Sequence, residues 1–213
     1  MIAVIGGTGH LGLGLAMRWA AARVPVVIGS RSLERAQEAA AKVRAATDGG
    51  PAEGMENADA AREAEVVIVT VPASAHAETL AAIAEAASGK VVVDATVQLG
   101  SPATSATPPA ERSAAERAQR FFGDRSRVVA AFHTVPASLL ADLSRPIDCD
   151  VLVCGDDESA KGRIIALAET LGARGVDVGA LRQALTLERL TVLLISAGRR
   201  MRRHELGVRI TGL

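Results

Sequence analysis

The amino-acid sequence predicts an α/β fold: a Rossmann-type doubly wound, mostly parallel sheet followed by a small C-terminal helical lobe. Three observations carry that expectation. Short apolar runs alternate with Ala-rich segments of helical length. The runs are continuously apolar rather than alternating, as expected for strands covered on both faces. A glycine-rich turn directly follows the first run and opens the first helical segment.

In chain order, Ile2–Ile5 is a β-branched run followed by a helical pattern over about 11–23. Residues 24–29 repeat the strand signal and 32–46 the helical one. The runs 65–71 (EVVIVTV) and 90–94 (KVVVD) flank a helix at roughly 73–87. This order points to parallel strands joined by right-handed crossovers. Residues 96–109 carry Gly, Ser, Thr and three prolines and are expected to form a loop. Helix 110–122, strand 127–132 and strand 150–154 then resume the alternation, and helices 158–171 and about 181–203 dominate the rest. The reading is a sheet domain over 1–154, with 155–213 as a lobe that packs on the sheet and partly faces its ligand edge. One local echo stands out: Thr70-Val71-Pro72-Ala73-Ser74 recurs as Thr134-Val135-Pro136-Ala137-Ser138, each just past a strand, at the carboxyl edge where such sheets bind ligands.

The 213 residues are 49% hydrophobic, enough for a sizeable core. With 24 basic and 24 acidic side chains the formal charge is zero, which argues against a general nucleic-acid or membrane-surface binder. Cys149 and Cys154 make neither a disulfide framework nor a metal quartet and are expected as buried thiols, so no metal site is expected. The start MIAVIGGTG reads as a strand entering a turn, and no long apolar span follows; a cytoplasmic protein is expected. The chain has no Tyr, three Phe and one Trp, so chemistry that needs a tyrosine acid is excluded.

Gly7-Thr8-Gly9-His10-Leu11-Gly12 fits G-x-G-x-x-G in the strand-to-helix context that gives the pattern its meaning. The glycines permit a tight turn, close approach to a pyrophosphate and helix-on-strand packing, while the helix N-terminus offers free N–H groups. NAD binders place an acid after the second strand. This chain has Gly29-Ser30-Arg31-Ser32-Leu33-Glu34-Arg35, whose hydroxyl and two guanidinium groups suit a ribose 2′-phosphate. NADP is the expected dinucleotide, and 1–154 the NADP-binding domain.

Short-chain dehydrogenases need Tyr-x-x-x-Lys, which is absent. Lys42, Lys90 and Lys161 are the only lysines, and none is placed like the catalytic lysine of hydroxyacid dehydrogenases. His133 ends a strand and leads into Thr-Val-Pro, where an imidazole could exchange a proton with a bound ring or simply satisfy a backbone carbonyl. His10 follows the second fingerprint glycine and is expected near the cofactor, whereas His76 and His204 are expected to be structural or solvent-facing. Arg199, Arg200, Arg202, Arg203 and Arg209 form a basic cluster, either a solvated helix end or an anchor for an anionic substrate tail.

End to end, the chain resembles the NADPH-dependent reductases of coenzyme F420. The resemblance is carried by IAVIGGTGHLGLGLA, VVIGSRSLERA, Glu111-Arg112-Ser113-Ala114-Ala115-Glu116, AFHTVPASLLADL, DVLVCGDDESAK, RGVDVGALR and the terminal RITGL. It implies direct hydride transfer between NADP(H) and the deazaflavin F420 as co-substrate, a reaction governed by positioning. On that basis Thr8, Ser30, Arg31 and Arg35 hold the NADP phosphates, and Val71, Pro72, Ala137 and Leu206 confine the rings. His133 and Thr191 are the polar groups nearest the hydride path. Thr70 completes the cofactor side and Val135, Pro136 and Gly207 the substrate side. The chain departs from the family at Leu185, where an Arg is usual, and in the 96–109 loop. Those departures keep two alternatives open: another acceptor (a flavin, a pterin carrier or a ferric chelate), or a non-catalytic NADP-sensing protein. The expected partners are small redox coenzymes, with a homodimer formed through the apolar helix at 187–195.

Overall fold

The computed structural model describes residues 1–100 and 112–212. Most of the 96–109 loop lies outside the described residues, and the helix expected from 110 begins at Ala114, behind its cap Ser113.

Among the described residues eight strands form one sheet in the order β3-β2-β1-β4-β5-β6-β7-β8. They are β1 (Ile2–Ile5), β2 (Val26–Ser30), β3 (Ala52–Glu56), β4 (Val66–Val69), β5 (Val91–Asp94), β6 (Arg127–Ala130), β7 (Asp150–Gly155) and β8 (Arg174–Asp177). Every pair is parallel except β6–β7, which runs antiparallel through Val129↔Gly155 and Ala130↔Cys154. The central strands are buried along their length, which is why they read as uninterrupted apolar runs. From β1 the chain winds outward to β2 and β3, then crosses back to β4, so the strand order reverses between β1 and β4. Ligands bind such sheets beyond the carboxyl ends at that switch point.

Among the described residues eight α-helices cover the two faces: α1 (His10–Ala21), α2 (Leu33–Ala46), α3 (Asn57–Glu63), α4 (His76–Ile83), α5 (Ala114–Phe122), α6 (Ala137–Ala141), α7 (Glu158–Thr170) and α8 (Ala184–Met201). Residues alternating along β1 divide between two cores. Ile2 and Val4 join Leu15, Trp19 and Phe132 on one face. Ala3 and Ile5 join Val67, Leu80 and Phe122 on the other. Ser113 caps α5 in a reciprocal box with Glu116, which fixes where that helix begins.

Several expected boundaries shift for physical reasons. The strand expected to reach 132 ends at Ala130, because Phe132 sits in the left-handed region at φ 68°. The helix expected over 73–87 is one 3-10 turn (Ala73–Ala75) followed by α4, which ends at Ile83. β3, α3, α6 and β8 give no clear signal in the sequence. β3 and β8 are edge strands with mixed burial, so neither shows a continuous apolar run. β8 extends the sheet past residue 154, and the 155–213 segment adds it to α7 and α8. Among the described residues no helix is long and apolar enough to cross a membrane.

Candidate active site

The phosphate-binding turn leaves β1 and enters α1. Its positive φ falls on Gly6 (74°), one residue before the fingerprint. A Cβ on Gly12 would lie 2.6 Å from Thr70 Oγ1 and 2.7 Å from Gly7 Cα, so this glycine lets helix pack on strand. Gly9 is different: its nearest neighbour to an added Cβ would be Gly6 O at 3.5 Å, so that side of the turn is open to a ligand. Gly9 is also the N-cap of α1, without a side-chain cap and without an acid in the first turn. Thr8, Gly9 and His10 are exposed and Leu11 is half-buried against the core. A helix N-terminus left open in this way accommodates an anion, and the fit to a pyrophosphate is good.

Thr70 and Val71 complete the turn's outer wall. Thr70 Oγ1 donates to Ile5 O at 3.0 Å, and Val71 packs where a Cβ on Gly6 would lie. Pro72 is exposed beside them. At the end of β2, Ser30 is buried and its hydroxyl accepts from Ser32 N–H at 3.2 Å. Ser32 in turn caps α2 by accepting from Arg35 N–H. Arg31 and Arg35 are exposed, and neither pairs with an acid among the described residues. Two unneutralised guanidinium groups beyond β2 fit a 2′-phosphate.

A cleft of about 490 Å³ opens beyond β6. Its apolar wall is Val135, Pro136 and Ala137 on one side and Leu194, Ile195 and Leu206 on the other. His133 and Thr191 lie at the inner end, and Arg199, Arg203 and His204 also line it. Gly207 stays outside the lining. It packs on Cys149, where a Cβ would approach to 2.5 Å, and so carries the tail past Pro136 and directs Leu206 inward. The tail is pinned by Asp150, which takes Arg174 through both carboxylate oxygens (3.0 and 2.7 Å) and accepts from Ile210 N–H at 2.7 Å.

His133 is 6% exposed, and neither ring nitrogen has a hydrogen-bond partner among the described residues. Burial lowers its pKa to about 4, opposed by the Asp94 carboxylate and by the Thr96 backbone, which lies near but outside hydrogen-bond geometry. The imidazole is therefore neutral near pH 7, with one N–H and one lone pair uncommitted. The Thr191 hydroxyl donates toward His133 O and Leu187 O, both at 3.0 Å, so its proton is committed to the backbone and it can only accept from a ligand.

His76 is buried, contrary to any solvent-facing expectation, and its Nε2 lies 2.5 Å from Asp94 Oδ2. Asp94 Oδ1 accepts from Thr96 N–H at 2.9 Å. Glu188 of α8, also buried, accepts from Ala114 N–H at 2.6 Å and from Gln98 Nε2 at 3.2 Å. Burial pushes the Glu188 carboxyl up, opposed by those donors. These acids tie the ends of β5, α4, α5 and α8 together behind His133. Only the Asp that closes the KVVVD run could have signalled them. Leu185 is half-buried in the first turn of α8, and neither Arg182 nor Arg189 lines the cleft. Among the described residues there is no cluster of His, Cys, Asp and Glu able to hold a metal ion, and both cysteines are free and buried, with thiols pushed up to about 11 and about 12 by burial.

Comparison with known proteins fits this geometry. The family described as "NADP oxidoreductase coenzyme F420-dependent" matches residues 1–98. The F420-dependent NADP reductase of Methanothermobacter marburgensis is 46% identical over 220 residues, covering 100% of this chain and 98% of the relative. The reductase of the same name from Methanocaldococcus jannaschii is 40% identical over 221 residues, covering 100% and 98%. A crystal structure from an Arthrobacter species, described as a candidate F420-dependent NADP reductase, superposes with a TM-score of 0.84 at 28% identity over 99% of both chains.

Proposed function

The chain belongs to the F420-dependent NADP reductases, and from that premise we propose that it transfers hydride directly between NADP(H) and coenzyme F420. The observation that carries this reading is the shared edge: the open phosphate turn after β1 and the apolar cleft after β6 both lie beyond the carboxyl ends of one sheet. When bound, the nicotinamide supplies or takes a hydride at C4 and the deazaflavin ring exchanges it at C5.

The protein's own part is to bind, orient and exclude water. Gly7, Gly9 and Gly12 with the first turn of α1 take the pyrophosphate, with Thr8, His10 and Leu11 around it. Ser30, Arg31 and Arg35 take the 2′-phosphate. Thr70, Val71, Pro72 and Ala137 confine the nicotinamide side, and Val135, Pro136, Leu206 and Gly207 the acceptor side. Neutral His133 steers the proton that accompanies hydride uptake, with Thr191 fixing its backbone. The absence of tyrosine is compatible with this division, because small aliphatic walls suffice when the two rings stack on each other.

We also infer a cytoplasmic homodimer. Leu193 (62% exposed) and Met201 (56%) are large apolar side chains that α8 leaves uncovered, and a second copy packed on that helix would bury them. Light scattering giving twice the chain mass supports it; a monomer at micromolar concentration overturns it.

The decisive assay mixes protein, NADPH and F420 and follows loss of the deazaflavin's visible absorbance. Bleaching that needs the protein is expected. Intact NADP binding without bleaching removes the reading. Leu185 favours one second reading, an NADPH-dependent reductase of another acceptor. Turnover of a flavin, a pterin carrier or a ferric chelate in place of F420 selects it.

A further inference from the structure

Resting on that reading, we propose that Arg199, Arg203 and His204 form an anion subsite at the mouth of the cleft. It would hold a phosphate or carboxylate on the acceptor's side chain while the ring sits inside. The bland account of the cluster is the helix dipole, which favours cations in the last turn. That explains Arg199 and Arg200, which lie within α8. It does not explain the residues past the cap. At Arg202 the backbone turns left-handed (φ 52°), a conformation costly for a residue with a side chain, and the chain folds back. Arg203 N–H then donates to Gly198 O at 2.8 Å. Gly198 makes this possible, since a Cβ there would meet Arg203 O at 2.6 Å. The reversal brings Arg203 and His204 onto the same cleft as His133.

Among the described residues nothing compensates the charges at the mouth. The cleft lining contains no acid, and neither Arg199 nor Arg203 pairs with a carboxylate, among the described residues. The nearest acid in sequence, Glu205, is taken by Arg145 at 2.7 Å. Arg200 and Arg202 belong to the same cluster but do not line the cleft. A ligand that fits such a cleft is a flat apolar ring bearing an anionic tail.

The test is a binding titration by deazaflavin fluorescence, with F420 as the anionic ligand and the same ring carrying only a neutral polyol as control. The double variant Arg199→Gln/Arg203→Gln is expected to raise the Kd for F420 by about tenfold. Binding of the neutral ring and of NADP should change less than twofold. Added salt should weaken F420 binding to the wild type and much less to the variant. Arg200→Gln/Arg202→Gln should leave F420 binding within about twofold, apart from a smaller general salt effect. Unchanged F420 affinity overturns the subsite, and so does an equal loss for both rings, which would mean the arginines only shape the cleft. A loss confined to NADP assigns the charges to the dinucleotide and also overturns it. A separate arm titrates inorganic pyrophosphate while following the amide resonances of Gly198 and His204. Saturable shifts that vanish in the double variant support the subsite even if F420 itself does not bind, in which case only the proposed function fails. Absence of shifts in the wild type overturns it.

Discussion

At the scale of single residues, a costly backbone turn sits beside a buried imidazole whose pKa is strongly depressed. Phe132 is buried, packs edge-on against Trp19 with centroids 5.7 Å apart, and still adopts φ 68°. A bulky residue in that region costs roughly 1–3 kcal/mol and persists only when its surroundings impose it. The turn it makes takes His133 out of the strand direction. His133 then has a depressed pKa, about 4 against an ordinary 6.5, chiefly from burial. An unfolded chain binds a proton at this site below about 6.5, and the folded one does not until about 4. The unfolded state holds more protons in that window, so stability is full above it and is lost as pH falls through it. The whole window is worth roughly 3 kcal/mol. Urea unfolding near pH 7.5 and near pH 5 should therefore show wild type losing about 2 kcal/mol more than His133→Gln. His76, Asp94 and Glu188 are present in both proteins, so the difference isolates His133. Parallel losses in the two proteins would place the proton elsewhere.

At the scale of elements, the cleft is aimed by α6, a five-residue helix too short to stand alone. Its support is α1. Arg18 donates to the carbonyls of Leu140 (3.0 Å), Leu139 (2.7 Å), Asp142 (2.5 Å) and Arg145 (2.9 Å), closing the helix end that carries Pro136 and Ala137 at its start. Gly14 brings the two helices close, since a Cβ there would lie 2.7 Å from Leu140 Cβ. Gly14→Ala sets two effects against each other. Helix propensity favours alanine by up to about 1 kcal/mol, while overpacking a tight contact costs about 1–3 kcal/mol. The contact is with a Cβ rather than a flexible tip, so packing wins. The variant should lose about 1–2 kcal/mol in urea unfolding and bind the acceptor more weakly; a gain in stability would sink the argument. This dependence explains what could be read in advance. Val66–Val69 and Val91–Asp94 announce themselves because burial on both faces leaves one kind of residue possible. α6 does not, because ASLLA is held by an arginine and a glycine more than a hundred residues away. The same holds for Asp150, whose partners Arg174 and Ile210 come from later elements.

At the scale of the whole molecule, the legible and illegible halves of the site differ in how far apart their parts lie. The turn proposed for the pyrophosphate is local: one strand, six residues and one helix specify it, and the residues proposed for the 2′-phosphate follow within a second such unit. The cleft proposed for the acceptor is assembled from the segment after β6, α6, α8 and the returning tail, so its mouth of Arg199, Arg203 and His204 could be seen only as a run of charge. The local half makes a prediction that involves the entire fold. A ligand that binds only the native state stabilises it by an amount set by its concentration over Kd, about 2.7 kcal/mol at a hundredfold excess. For a chain of this length that raises Tm by roughly 5–10 °C. NADP should produce such a shift and NAD, lacking the 2′-phosphate, a clearly smaller one at equal concentration. Arg31→Gln/Arg35→Gln should reduce the NADP shift to the NAD level without lowering the Tm of the unliganded protein, because both side chains are exposed and make no ion pair among the described residues. Equal shifts from the two dinucleotides would show that Ser30, Arg31 and Arg35 do not select the phosphate, and the absence of an acid after β2 would then need another explanation.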